Sequence, residues 1–210
     1  MGWTDNTTIN APGAVVDPAS IMMNSGRQVD FTNTPDSYKG ADGNKLIPAF
    51  TVVSQLASGK VIPRVGNELT VTVAVASNVA TATKTAHGLA AGQQVYISGA
   101  NLSYVNGIKT IATVPTADTF TFAATGSDAT ATGTIKAGIV ACGMLVSNAV
   151  ENSKSDSVSG YGIIVGGNLY ENLLPDATGT PAVLSDEIKT ELANAGTGFY
   201  FEQYGDSRTS

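Results

Sequence analysis

The side chains able to do chemistry are few: one histidine, His87, one cysteine, Cys142, and 17 carboxylates spread along 210 residues. Any triad or metal centre must be built around His87, which sits in the turn-like segment TAHGLAAGQ. The polar run Ser155, Asp156, Ser157 lies far from it in sequence, and zinc needs several nitrogen or sulfur ligands. His87 is therefore expected to be structural. Cys142 stands inside an apolar run, where a free thiol behaves as a small buried hydrophobe. Asp36, Asp42, Glu151, Asp156, Glu171 and Asp176 can supply an acid/base pair, which is all that a hydrolase requires, but no aromatic-lined cleft signature accompanies them.

Phosphate and calcium motifs fare no better. Gly160, Gly162, Gly166 and Gly167 lack dinucleotide-loop spacing and no long helix follows them. There is no nucleophile elbow and no Walker-type loop, and Asp36, Asp42 and Asn44 do not follow EF-hand spacing. The expectation is a protein that is not an enzyme, with no cofactor and no metal.

With 42% hydrophobic and 13% charged residues the chain can fold around one ordinary core or two small ones. Its net charge of -6, with no run of Lys or Arg, argues against nucleic acid as a partner. The longest apolar-leaning run, 139–150, falls short of the ~20 residues needed to cross a bilayer, and the N-terminus lacks the parts of a signal peptide. No membrane partner is expected, and the chain is expected to fold in a cytoplasm.

The elements follow in order. Residues 1–38 show neither helical nor strand periodicity and are interrupted by Pro12, Pro18 and Pro35, so they read as an irregular arm. The arm is apolar: Trp3, Ile9, Val15, Val16, Ile21, Met22, Met23, Val29 and Phe31 exceed what a solvated linker exposes. It packs along its own domain or orders against another chain, where Trp3 would anchor it and an extended piece would add to a foreign sheet edge. Residues 45–64 read as a hairpin turning at Ser58-Gly59, with Pro48 and Pro63 at strand ends.

From Gly66 the pattern changes to period two. Leu69, Val71, Val73 and Val75 alternate with Thr70, Thr72 and Ala74, and further pieces follow at 94–98, 108–114 and 119–122. These strands predict a small β-sandwich or barrel over 66–136, inserted into a framework formed by 39–65 and 137–210. The stretch 138–150 is expected to pair with 46–63 across the insert. A polar loop is expected at 151–160, then a strand at 161–165 ending at Gly166-Gly167, and 168–174 is either strand end or helical turn. The predicted helix covers 181–194 with Thr180 as N-cap, or starts later with Ser185 as N-cap and Asp186 and Glu187 in its first turn. A last strand is expected at 198–204. The fold class is mainly β, with one C-terminal helix in an α+β framework.

Two resemblances add to this. KLIPAFTVVSQLASGKVIPR, then AGIVACGMLVSNAVENSKSDSVSGYGIIVGGNLYENLLPDA, then ELANAGTGFYFEQYGDSR resemble tailed-phage head decoration proteins of the lambda type. The resemblance implies a β-rich domain that forms a homotrimer on the outside of the expanded capsid and cements the major capsid protein. It also implies that residues 1–38 are a capsid-binding arm, with Trp3, Ile9, Val15, Val16, Ile21, Met22, Met23 and Phe31 making contact. The insert resembles a β-module recurrent in phage virion proteins, with His87, Gly88, Leu89, Gly92, Ser98, Gly99, Asn106, Gly107, Phe120 and Phe122 at the pattern positions. The simpler decoration proteins lack such a module. The expected location is the outer capsid surface of a virion, after synthesis in a host cytoplasm. The alternative is a host-surface or glycan ligand for the insert, through Tyr104.

Overall fold

In the computed structural model, which describes residues 21–151, 157–180 and 182–202, the strands form two closed sheets and one short ribbon. The first sheet begins with β1 (Met22–Asp30). A 3-10 turn at Asp36–Tyr38 and the short β2 (Leu46–Ile47) lead to the expected hairpin of β3 (Val52–Gln55) and β4 (Val61–Pro63). Gly59 turns that hairpin with φ 83°, a conformation costly for other residues.

The chain then leaves for a second sheet of β5 (Leu69–Ala76), β6 (Val79–Thr83), β7 (Gln94–Ser98), β8 (Gly107–Thr116), β9 (Thr119–Ala123), β10 (Ala129–Thr130) and β11 (Ile135–Ile139). In it β5, β11, β7, β8, β9 and β6 follow one another around a ring that β6 closes on β5, with β10 added at the side of β5. Of the two predicted architectures, sandwich and barrel, this is the barrel. Alternation fills it: Val71, Val73, Val75, Ile97, Phe120 and Phe122 are buried inside, while Thr72, Thr81, Thr83 and Thr113 lie outside. Gly99 and Gly133 let two backbones cross, because a Cβ on Gly99 would overlap the carbonyl oxygen of Thr134, and one on Gly133 that of Gly99.

The chain returns at β12 (Ala141–Leu145), which pairs antiparallel with β3, followed by β13 (Ala149–Val150), which pairs with β2. Then come β14 (Ser157–Tyr170), a 3-10 turn at Glu171–Leu173, helix α1 (Asp186–Asn194) and β15 (Gly198–Glu202). The ring here runs β1, β4, β3, β12, β14 and closes by the antiparallel β1–β14 pairing, with β15 parallel on β14. Neighbouring residues point to opposite apolar layers. Val53, Leu145 and Ile163 join Phe31 and Val61, whereas Val52, Met144 and Ile164 join Phe50, Leu169 and the helix residues Ile188 and Leu192. Strands buried on both faces explain why 141–146 and 161–165 read as near-continuous apolar runs.

Four expectations change. Residues 22–30 are not irregular: β1 belongs to the framework sheet, and Phe31, in the turn that follows, is fully buried. Gly138 and Ile139 belong to the barrel strand β11 and not to the strand that pairs with β3. Strand β14 begins inside the expected polar loop and passes through Gly166-Gly167, so 168–174 is strand to Tyr170 and then a 3-10 turn. The helix takes the later of its two starts, Ser185 Oγ accepting a hydrogen bond from the Ile188 N–H at 3.3 Å.

Candidate functional site at the barrel–framework seam

The chain crosses between the two sheets twice, and the crossings lie side by side, since Leu69 of β5 pairs with Ala137 of β11. Arg64, one residue past β4, stands at this seam and is 2% exposed. Its Nε donates to Glu191 Oε2 at 2.8 Å and its Nη2 to Glu191 Oε1 at 2.6 Å, a two-pronged pair with a carboxylate that is 0% exposed. Nη1 donates to Glu68 at 2.8 Å, and Glu187 lies 3.5 Å from Nη2. Glu191 Oε2 also accepts from the Ala141 N–H at 2.8 Å. One cluster thereby joins the outgoing crossing, the returning crossing and α1. Gly138 leaves it room, because a Cβ there would overlap the guanidinium.

Electrostatics follow from the count of one guanidinium against three glutamates. Burial works against the charge of Arg64, but Glu191, Glu68 and Glu187 more than offset this and hold it above its ordinary value. Burial raises the Glu187 carboxyl above the usual range, and although Arg64 opposes this, the charges of Glu191 and Glu68 add to it. Tyr38 is also raised, first by burial and then by the charges of Asp176 and Glu68. The seam carries surplus negative charge.

Beside the cluster lies a groove of about 340 Å³, lined by Tyr38, Thr51, Val65, Glu68, Val183 and Glu187 among others. Phe50, next to Thr51, holds φ 65°, a conformation rare for an aromatic residue, while its N–H donates to the Leu145 carbonyl at 2.7 Å. A second cleft of about 460 Å³ lies between the β3–β4 hairpin and the barrel, lined by Asp30, Lys60, Asn67, His87 and Ile139 among others. His87 is buried there, its Nδ1 accepting from the Leu89 N–H at 3.0 Å and its ring meeting Phe120 edge-on at 5.2 Å. Those contacts shape the turn.

The other candidates are held by local partners. Cys142 is half-buried, and burial pushes its thiol up to about 11 against the opposing pull of Arg27, which suppresses the thiolate a nucleophile needs. Asp36 pairs with Lys39 at 3.0 Å, Glu171 with Lys189 at 2.6 Å, and Glu151 accepts from the Lys45 N–H at 2.8 Å. Asp42 accepts from Asn44, and Asp176 from Thr178 and Thr180. Asp156 lies outside the described residues. Among the described residues no group of three His, Cys, Asp or Glu is placed to hold a metal ion, and no helix is long and apolar enough to cross a membrane. The Tyr104 hydroxyl donates to the Ser127 carbonyl at 2.6 Å and its ring covers Gly126, so this aromatic is engaged within the barrel.

Of the arm residues, Trp3, Ile9, Val15 and Val16 lie outside the described residues. Ile21 packs on the core layer that carries α1, Met22 and Met23 are 52% and 51% exposed on β1, and Phe31 is core. Arg64 and Glu191 were not anticipated as a pair. The available signal was Glu191 itself, an acid three residues after Ile188 and next to Leu192 on the buried side of a helix. No protein-family model matches the chain, and no curated protein matches it.

Proposed function

We propose that the chain is a non-enzymatic virion protein that decorates the outside of an expanded phage head as a homotrimer and stabilises the shell through the major capsid protein. The observation that supports this most is where the apolar N-terminal segment enters the framework. Met22 and Met23, half-exposed at the start of β1, continue a sequence containing Trp3, Ile9, Val15 and Val16, so an apolar segment is attached directly to a strand held on both sides in the framework ring. Such a protein needs no reacting groups. Binding only the assembled shell stabilises it by mass action, about 2.7 kcal/mol per site at a hundredfold excess over Kd, repeated over many sites. The inserted barrel would project outward as a neutral module.

The fold sets where the test must cut. Because β1 closes the framework ring, the deletion must stop at residue 20. Protein lacking residues 2–20 is expected to fold and to stop decorating expanded heads, scored by co-sedimentation and electron microscopy. Undiminished decoration by this truncation overturns the role given to the arm.

A further inference from the structure

The groove beside Arg64 has features that its structural role leaves unused. Thr51 lines it, and its Oγ1 is buried with no hydrogen-bond partner among the described residues, an arrangement that is unfavourable for a hydroxyl. Val65 and Val183, 50% and 62% exposed, are large aliphatic side chains left in water on the same groove. Glu68 and Glu187, each about a third exposed, share a guanidinium already held in two bonds by Glu191. A concave surface with an orphan hydroxyl, open aliphatic walls and surplus negative charge is complementary to one kind of occupant.

We propose that this groove receives an extended segment of a partner protein in which a Lys or Arg side chain is flanked by aliphatic residues. The cation meets Glu187 and Glu68, the aliphatic side chains cover Val65 and Val183, and a backbone group of the segment pairs with the Thr51 hydroxyl. Burial is the first cause of the upward shifts of Tyr38 and Glu187, but Glu68 adds to both, and that charge is one a cation in the groove would neutralise. The proposal does not depend on the capsid reading.

The probe is the blocked peptide Gly-Val-Lys-Val-Gly, titrated into the full-length protein and followed by amide NMR, with Gly-Val-Glu-Val-Gly as control. The lysine peptide is expected to move the signals of Thr51, Val65 and Val183, to weaken with added salt, and to lose roughly fivefold in affinity in E187Q and in V183S. Both variants replace partly exposed side chains, so each is expected to fold. Equal binding of the glutamate peptide, or groove signals that do not move at saturating peptide, overturns the proposal. So do groove signals that shift on dilution, which means a second copy sits there, or on removal of residues 203–210, which means the chain fills its own groove.

Discussion

The barrel and the framework bury different things. Inside the barrel ring the buried side chains are Val, Ile, Leu, Ala and Phe, with His87 at one end, and the three acidic and three basic residues of 66–136 cancel. The residues outside 66–136 carry the whole net charge of -6, and the framework encloses Arg64 with Glu191, Lys45 against the carbonyls of Phe31 and Thr34, and Glu171 with Lys189. A closed ring has no edge to protect and needs only volume to be stable. A ring completed by strands that come from both sides of an insertion must also fix its ends, and directional bonds between distant residues do that. Apolar packing holds the barrel; ion pairs position the framework.

Substitutions can break this contrast. Phe122→Ala empties the barrel centre and is expected to cost about 3–5 kcal/mol in chemical denaturation. Glu191→Ala leaves Arg64 buried without its partner and is expected to cost a similar ~3–5 kcal/mol, while the double variant R64M/E191L recovers a large part of that loss. If E191A alone were silent, the ion cluster would have no positioning role. Ser185→Ala removes the cap of α1 and is expected to lower stability by about 1 kcal/mol, read as a shift in the denaturation midpoint.

The smallest effect concerns pH. The Glu187 carboxyl titrates above its unfolded value, so the folded state holds that proton more tightly, and this group disfavours folding as pH rises through the unfolded and then the folded pKa. Acidification from neutrality toward that range is therefore expected to relieve the cluster. E187Q should flatten this part of the stability–pH curve; an unchanged curve would mean that Glu187 is not raised. At lower pH the sign reverses. The carboxyls of Asp36, Asp42 and Asp176, held below their usual range by hydrogen bonds from Lys39, Asn44 and Thr178, then lose their partners as they protonate.

Local pattern reveals some of this and hides the rest. Alternation of valine with threonine in 69–75 and of phenylalanine with threonine in 119–122 was legible because one face is buried and the other wet. Ring closure was not, because β6 meeting β5 and β11 meeting both β5 and β7 leave the alternation of each strand unchanged. Strand β1 was hidden by its own irregularity: Gly26 sits at φ 82° and the pairing with β14 slips between Asn24 and Arg27, which breaks the period of two. Gly166 looked like a stop but lies within β14, opposite Met22 of β1 on one side and Gly198 of β15 on the other. The arm residues from Ile21 onward divided by burial, with Phe31 going to the core and Met22 and Met23 to the surface. Arg64 and Glu191 stand 127 residues apart, and no short-range rule connects them.

The side-by-side crossings at Leu69 and Ala137 have a mechanical consequence. A pull on the barrel away from the framework loads two covalent strands together and in the same direction. Their mutual hydrogen bonds are not asked to slide past one another. The tether cannot unzip, and what yields first is the folded body at one end or the other.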